Sequence, residues 1–303
     1  MGSEIHVVLV GAGAHVADHA PARFSDLEAR WSRFRPDSEV SRVNRGAGSF
    51  VSVSSETGQL FARALEGWRL TAGLFDPTVL GAVVRAGYDR PMTELRDAPI
   101  TRRSESSLIT GSGGVEVEAD RIRLPASVGF DPGGIGKGLA ADLVCAELIS
   151  LGAEGALVNA GGDVRVMGTG PEGAGWTIAV VHPFRAKPLA LLGIGEGAVA
   201  TTTTLLRRWT VGPVIRHHLI DPATGEPSNG PVDLSSVVAS DAWLAEIWAK
   251  ALLLAGEAPQ TVLAGAGVSG LVVERTGRVK TSDNLQAYLG QQPMTSSIWS
   301  HLD

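Results

Sequence analysis

Cysteine is almost absent from this sequence of 303 residues, which contains one, Cys145. A single cysteine excludes a disulfide within the chain and any zinc site built from several cysteines. Because Cys145 lies among Leu143, Val144 and Leu148, we expect it to be a small buried hydrophobic residue and not a nucleophile.

Long apolar runs and an excess of positive charge are also missing. No stretch of about 18 apolar residues is present, so we expect no membrane insertion. The first residues lack the charged segment, apolar segment and cleavage site of a secretory signal, which favours a cytoplasmic location. The net charge of −6 gives no general attraction for nucleic acid, which is bound mainly through Lys and Arg. Any site for an anion must therefore be formed by positive groups that lie together in one part of the chain's surface or interior, and not by the overall charge.

What the sequence does contain is typical of a globular protein with mixed helices and strands. Hydrophobic residues make up 44% and charged residues 19% of a chain that is long enough for one large domain or two lobes. Apolar periodicity predicts helices at about 17–31, 61–72, 139–151 and 242–255. It predicts strands at 5–10, 156–160, 176–181, 189–194, 201–204 and 270–274, and a hairpin over 115–124. Residues 89–114 have no sustained period, which predicts a surface loop and a poor place for catalytic residues.

A glycine-rich turn at Asp131–Gly138 places four glycines around Lys137, just before a predicted helix. Glycine backbone can approach an anion closely, the helix N-terminus offers unpaired N–H groups, and Lys137 adds a positive charge. The turn therefore suits a phosphate or a pyrophosphate. It is not a Walker A loop, because Asp131 and Gly138 stand where that motif needs Gly and Ser or Thr. A tight turn that joins a helix to a sheet, with Lys137 in solvent, is the other interpretation.

Four separated motifs resemble one family when they are read together. They are MGSEIHVVLV at the start, GLFDPTV, DPGGIGKGLAADLV with VNAGGDVRVMG, and HHLIDPATGEP. In this order and spacing they resemble the ApbE-type FAD:protein FMN transferases. The resemblance covers nearly the whole chain and implies an α+β fold of mixed, two-lobed type with sheets flanked by helices. It implies a single such domain over residues 1–303, with the flavin site between the lobes if there are two.

The resemblance also implies an activity, its cofactors and a partner. Enzymes of this family cleave the pyrophosphate of FAD, attach FMN through a phosphoester to a Thr or Ser of an acceptor protein, and release AMP. Magnesium normally assists. Phosphoryl transfer needs positioning and neutralisation of charge more than covalent chemistry from the enzyme, which gives the turn around Lys137 a function.

The same resemblance assigns residues to the cofactor site. The carbonyl of Gly134 matches a backbone metal ligand, and Phe34 replaces a tyrosine that is often found beside the flavin. The positions that match cofactor-contacting residues of the family are Met1, Phe34, Leu74, Phe75, Asp76, Asp131, Lys137, Asn159, Thr201, His218 and Ile220.

Several of these residues have a structural interpretation as well. Asp76 suits an Asx turn before Pro77, and His218 suits a hydrogen-bonded core position. Thr201 fits a plain strand. Asp163, next to the matching turn, is at least as well suited to fixing that turn as to chemistry. The residues by themselves leave these alternatives open.

The last motif departs from the family. Where the family has Asp and, four residues later, Thr as magnesium ligands, this chain has Glu246 and Lys250. Glu246 keeps a carboxylate that magnesium can accept, but the Lys250 ammonium has no lone pair and repels a cation. An ordinary helical ion pair, worth about 0.3–0.5 kcal/mol, is one interpretation. We favour a partly buried pair that faces the cofactor, in which Lys250 supplies positive charge and lessens the need for magnesium.

This departure leaves the catalytic assignment open. Asp163, Glu246 and His218, in that order, are the candidates for general base, and Lys250 is expected to act through its charge. Transfer of FMN to a separate acceptor protein is the first hypothesis. An FAD-binding protein without transfer activity, or a slow FAD pyrophosphatase, is the alternative, because altered metal positions can remove chemistry while the pocket remains.

Overall fold

The computed structural model describes residues 3–97, 110–173 and 175–290. The predicted flavin contact Met1 and residues 98–109 of the predicted loop lie outside this range. Within it, three 3₁₀ helices cover Ser112–Gly114, Pro132–Gly134 and Asp283–Tyr288. No described helix combines the length and apolar character needed to cross a bilayer. The described α-helices are α1 Ala14–Trp31, α2 Glu39–Arg45, α3 Ser55–Leu70, α4 Leu80–Arg85, α5 Met92–Asp97, α6 Gly136–Ser150, α7 Ala242–Ala255 and α8 Pro259–Val262.

One large antiparallel sheet dominates the strands. The described strands are β1 Ile5–Val10, β2 Val51–Ser52, β3 Glu116–Val117, β4 Arg121–Arg123, β5 Gly155–Ala160, β6 Asp163–Gly168, β7 Trp176–Val180, β8 Ala190–Ile194, β9 Gly197–Thr203, β10 Arg208–Val211, β11 Val214–His217, β12 Ile220–Asp221, β13 Glu226–Pro227, β14 Val232–Ala239, β15 Ser269–Glu274 and β16 Val279–Thr281. The large sheet has the order β1-β5-β6-β9-β14-β15-β16, and every neighbouring pair is antiparallel. Helices combined with an antiparallel sheet confirm the expected α+β class.

Side-chain alternation along the strands gives the large sheet two apolar faces. Ala156, Val158 and Ala160 of β5 are buried in the main core, to which α1, α6 and α7 contribute. Leu157 of the same strand packs instead against a second cluster, which contains Trp176 of the β7-β8 hairpin. Helices therefore cover one face of the sheet, as the resemblance implied, and a hairpin packs on the other.

Helices α6 and α7 are held together near their N-terminal ends. A Cβ on Gly138 would lie 2.4 Å from the carbonyl oxygen of Ala242, so this close approach requires glycine. The Asp142 carboxylate of α6 accepts hydrogen bonds from the backbone N–H groups of Ala242 and Trp243, at 2.8 and 2.9 Å. These contacts occupy N–H groups that the first turn of α7 would otherwise leave unpaired. Burial raises the pKa of Asp142 to about 7.

Several predicted boundaries are confirmed by the structure. Strand β1 and helix α7 have the predicted bounds, and α7 ends where Gly256 adopts a left-handed φ of 67°. Helix α6 begins earlier than predicted, at Gly136, because Gly136 and Gly138 continue the helix and Gly138 packs closely against α7. Tertiary packing here outweighs the low helix propensity of glycine.

The prediction of a loop over 89–114 is wrong for its first part. Helix α5 begins after Pro91, whose carbonyl accepts hydrogen bonds from the N–H groups of Glu94 and Leu95. Leu95 is buried in a small cluster with Trp209 and Ile220. A helix this short shows no apolar period in the sequence.

Candidate functional site

A cavity of about 630 Å³ brings together most of the residues that the sequence assigns to the cofactor. They come from well-separated segments of the chain, so the fold and not local sequence assembles them. Among the described residues that the sequence assigns to the site, Asn159, Thr201, Asp163 and Glu246 are absent from the cavity lining. The predicted residues in the lining are Phe34, Leu74, Phe75, Asp76, Asp131, Gly134, Lys137, His218, Ile220 and Lys250.

Two lysines and two carboxylates form one connected group at this cavity, which we call the lysine–carboxylate cluster: Lys137, Asp163, Glu246 and Lys250. Lys137 Nζ donates to Oδ2 of Asp163 and, at 2.9 Å, to Oε1 of Glu246. Lys250 Nζ donates to the same Oε1 at 3.0 Å. The other oxygen of Glu246 accepts the backbone N–H of Gly138 at 2.8 Å. Both oxygens of Glu246 are therefore occupied.

Local structure explains why these four residues meet. Lys137 lies in the first turn of α6, and Asp163 is the first residue of β6. Glu246 and Lys250 are one turn apart on the buried face of α7, so helix geometry places them side by side. The side chains of Asp163 and Glu246 are each 2% exposed, and that of Lys250 is 11% exposed. The ion pair is therefore buried, which confirms our preference over a surface pair.

The pKa values in the cluster follow from burial and mutual charge. Burial and the nearby Glu246 carboxylate raise the pKa of Asp163 to about 6. Burial acts to raise the pKa of Glu246, but the ammonium groups of Lys137 and Lys250 outweigh it and lower this pKa to about 2. Burial lowers the pKa of Lys250, whereas the two carboxylates raise that of Lys137 in spite of its burial. Glu246 is thus the permanent anion, and Asp163 is the carboxyl group that titrates near neutral pH.

An aromatic and cationic wall lies in the same cavity. The Arg33 guanidinium stacks 4.1 Å from the ring centroid of Phe34 and 4.7 Å from that of Tyr88. Arg33 also donates to the carbonyl oxygen of Tyr88 at 2.8 Å and lies 3.5 Å from the Asp131 carboxylate. These contacts hold a flat, positively charged surface in place, which suits a planar ring system.

Two of the predicted residues build turns. Oδ1 of Asp76 accepts the backbone N–H and the hydroxyl of Thr78, at 2.7 and 2.5 Å, and the hydroxyl of Ser112 at 2.8 Å. The Asx turn is therefore present, while the contact of Asp76 with the cofactor stays a prediction. Oδ1 of Asp131 accepts the N–H of Gly133 at 2.9 Å and shapes the glycine-rich turn in the same way.

Asn159 and Thr201 make contacts within the protein instead. Oδ1 of Asn159 accepts the N–H of Gly162 at 2.8 Å, which closes the turn between β5 and β6. The hydroxyl of Thr201 donates to the hydroxyl of Ser236 on the neighbouring strand β14 at 2.9 Å. For these two residues the structural interpretation accounts for the contacts, and a role toward the cofactor stays a prediction.

His218 differs from an ordinary hydrogen-bonded core histidine. Its ring Nδ1 is buried without a hydrogen-bond partner among the described residues. Burial, with help from the charges of Arg207 and Lys250, lowers the pKa of His218 well below its usual value, so the ring is neutral. A neutral ring nitrogen in the cavity lining is available to a polar group of a bound ligand.

The cavity residues that sequence reasoning missed include Arg33, Tyr88 and Arg207. The one signal in the sequence for Arg33 was its position next to Phe34, the predicted flavin contact. Arg207 has a left-handed φ of 50° and donates to the hydroxyl of Ser3 at 2.7 Å. Neither Tyr88 nor Arg207 belongs to a recognisable motif.

The residues present do not fit the magnesium ion that the resemblance implies. The described residues contain no group of three or more His, Cys, Asp or Glu side chains able to hold a metal ion. Glu246, the predicted side-chain ligand, already accepts two ammonium groups and one backbone N–H. Lys250 would repel a cation placed beside Gly134. The predicted pair of ligands, Gly134 and Glu246, therefore finds no support in this geometry.

Similarity to known proteins agrees with the fold. The chain is 28% identical over 271 residues to the FAD:protein FMN transferase of Vibrio cholerae, covering 87% of this chain and 79% of that protein. It is 30% identical over 248 residues to the FAD:protein FMN transferase of Rhodobacter capsulatus, covering 78% of this chain and 46% of that protein. The crystal structure of the ApbE protein from Thermotoga maritima superposes with a TM-score of 0.82 at 27% identity, covering 93% and 94% of the two chains.

A family model extends this similarity along most of the sequence. The model of the ApbE family matches residues 1–273. This range includes the glycine-rich turn and both helices that carry the lysine–carboxylate cluster. The chain therefore belongs to the ApbE family.

Proposed function

We propose that this chain is an FAD:protein FMN transferase. It cleaves the pyrophosphate of FAD, attaches FMN through a phosphoester to a Thr or Ser hydroxyl of an acceptor protein, and releases AMP. The observation that carries the proposal is one cavity that combines a stacking wall of Arg33, Phe34 and Tyr88 with the ammonium groups of Lys137 and Lys250. Membership of the ApbE family and relatives with this activity support it.

The cavity suits a flavin dinucleotide in size and in chemistry. Pockets for small molecules and cofactors typically enclose about 300–1,000 Å³, and this one encloses about 630 Å³. The pyrophosphate would lie at the first turn of α6, where backbone N–H groups and Lys137 meet an anion. Phe34, His218 and Ile220 would lie beside the isoalloxazine ring, with the unpaired Nδ1 of His218 available to a polar group of that ring.

Transfer needs a group that accepts the proton of the attacking hydroxyl. Glu246 is unsuited, because its pKa of about 2 makes it a very weak base and its oxygens are occupied. His218 is neutral, but its pKa lies well below its usual value. Asp163 matches the requirement best, because its carboxylate contacts Lys137 at the cavity and its pKa of about 6 is near the operating pH.

The remaining groups act by position and charge. Lys137 stabilises the pyrophosphate, and Asp76 and Asp131 shape the turns that line the cavity. Magnesium supplies positive charge in the family, but the donor set of this chain does not fit the ion. The hydroxyl oxygen of the acceptor therefore meets a phosphate neutralised by side chains.

The test is covalent flavin on a second protein. The purified chain is incubated with FAD and a lysate of its source organism, and proteins are separated under denaturing conditions and scanned for flavin fluorescence. We expect an enzyme-dependent fluorescent band, a Thr or Ser that carries FMN by mass spectrometry, and AMP in equal amount. Lys137→Gln should abolish the band, whereas Lys280→Gln, at a surface ion pair, should not. Binding of FAD without a flavinylated protein or AMP would contradict the proposal.

A further inference from the structure

Two of the four lysines of the chain meet at one carboxylate oxygen. Their Nζ atoms lie 2.9 and 3.0 Å from Oε1 of Glu246, and their side chains are 15% and 11% exposed. A lysine on a protein surface usually keeps its ammonium in water. Lys137 and Lys250 are instead fixed parts of the cavity wall, held by a carboxylate that is itself almost completely buried.

We propose that Lys250 is a built-in cation beside the pyrophosphate of bound FAD, so that transfer of FMN requires no divalent metal ion. This inference rests on the proposed function and specifies how that site neutralises charge.

The position of Lys250 supports this role. Its side chain lies against the glycine-rich turn, since a Cβ on Gly134 would be 3.5 Å from its Cδ atom. Its ammonium shares an acceptor atom with Lys137, which lies in the first turn of α6. A pyrophosphate that meets Lys137 and the start of α6 therefore also lies beside Lys250.

A divalent ion has no place in this arrangement. Magnesium requires oxygen ligands at about 2.0–2.1 Å in a near-octahedral set. To bind Glu246 it would have to displace Lys250 and leave that ammonium buried without its partner, which is strongly unfavourable. Lys137, on the same oxygen, would repel the ion as well.

The step itself needs no further reactant. The hydroxyl oxygen of the acceptor bonds to the phosphorus on the FMN side, and the bond from this phosphorus to the bridging oxygen breaks. The electron pair leaves with AMP, and the hydroxyl proton passes to Asp163. Lys250 donates a hydrogen bond to the negative charge that develops on the leaving oxygen.

The deciding experiment uses the wild-type chain in excess chelator. The rate of AMP release with FAD and acceptor is compared with and without added MgCl₂, and we expect the two rates to agree within about twofold. Direct titration of the protein with Mn²⁺, followed by electron paramagnetic resonance, should show no stoichiometric site. Loss of activity in chelator that MgCl₂ restores, or a stoichiometric Mn²⁺ site, would overturn the inference.

Variants of Lys250 test the charge itself. Lys250→Met should reduce the rate of AMP release by about a hundredfold, the usual effect of removing one donor at a developing negative charge. Lys250→Arg should restore part of it, and Lys280→Met at the surface should have no effect. A Lys250→Met protein with the wild-type rate would overturn the inference. If this variant does not fold, as judged by thermal melting, the chelator experiment on the wild type decides.

The outcomes separate the two proposals. Absence of AMP and of flavinylated acceptor under all metal conditions, with FAD bound, contradicts the transferase function itself. Transfer that occurs with magnesium and stops without it leaves the function intact and contradicts the role of Lys250.

Discussion

Lys137 and Lys250 lie on different helices, yet their ammonium groups share one acceptor, Oε1 of Glu246, at 2.9 and 3.0 Å. This shared atom couples the first turn of α6 to the middle of α7. A change at any one of the three residues must therefore alter the environment of the other two. Stability, pH dependence and chemistry are expected to change together at this point of the fold.

Removal of the central charge should destabilise the protein. Glu246→Gln keeps the shape of the side chain but leaves two buried ammonium groups with Asp163 as their remaining anion. We expect the free energy of unfolding to fall by about 3 kcal/mol, the lower end of the usual cost of breaking a buried ion pair. Urea denaturation measures this value. Glu274→Gln, at the surface pair with Lys280, is the control, and an equally small effect of both variants would contradict the coupling.

The rate of transfer should depend on the ionisation of Asp163. Because the pKa of this carboxyl group is raised to about 6, a fraction of it is protonated, and inactive as a base, on the acid side of neutrality. We expect kcat/KM for AMP release to rise with pH through an acidic limb near pH 6. Asp163→Asn should be slow and lack this limb. A wild-type profile that is flat between about pH 5 and pH 7 would argue against Asp163 as the base.

Ionisation of Asp142 should make the free energy of unfolding depend on pH. Its pKa is about 7 in the folded protein, against an ordinary value of 3.8, because it is buried. Between these values the folded protein binds the proton more tightly than the unfolded chain does, so the free energy of unfolding falls as pH rises.

The matched variant for this prediction is Asp142→Asn. Its free energy of unfolding, subtracted from that of the wild type, should give a difference that declines from about pH 4 to pH 7 and then levels off. Denaturation at a series of pH values measures the difference. A difference that stays constant over this range would show that burial of Asp142 does not perturb its titration.

The aromatic wall should contribute to the affinity for FAD. Phe34→Ala removes one of the two rings that hold the Arg33 guanidinium, as well as a stacking surface for the flavin. We expect the Kd for FAD to rise about tenfold, since an aromatic pair contributes roughly 0.5–1.5 kcal/mol beyond its buried area. Phe34→Tyr keeps the ring and should bind normally. Quenching of flavin fluorescence measures both values, and equal affinity of the alanine variant and the wild type would exclude this contact.

The glycine-rich turn offers a matched pair of substitutions. A Cβ on Gly134 would lie 2.6 Å from Cε2 of the buried Phe75, whereas a Cβ on Gly136 would meet Pro132 at an ordinary 3.6 Å. Gly134→Ala should therefore lower the free energy of unfolding by about 1–3 kcal/mol, the usual cost of overpacking, and move the turn. Gly136→Ala should be tolerated. If the two variants have similar free energies of unfolding in urea, the turn accommodates a Cβ at Gly134 without loss of stability.

Local sequence patterns predict part of the lysine–carboxylate cluster. The i, i+4 spacing of Glu246 and Lys250 fixes their contact once α7 forms, and apolar periodicity predicted the bounds of that helix. Asp76 shows the limit of such rules. Its Asx turn follows from the residues around it, but the same residues do not determine whether its second oxygen meets a ligand.

Contacts between distant segments could not be predicted in this way. Arg207 reaches Ser3 next to β1, and Tyr88 reaches Arg33 after α1, because the order of strands and helices brings these segments together. Neither contact has a local signature. The resemblance to a family placed Phe34 and Lys137 in one site, whereas the residues that complete the stacking wall required the structure.

The most direct test of the account is a crystal structure of the chain with FAD bound. We predict phosphate oxygens within hydrogen-bond distance of Nζ of both Lys137 and Lys250, with no metal ion between them. A pyrophosphate bound away from these two lysines, or bridged to Glu246 by a divalent cation, would contradict it.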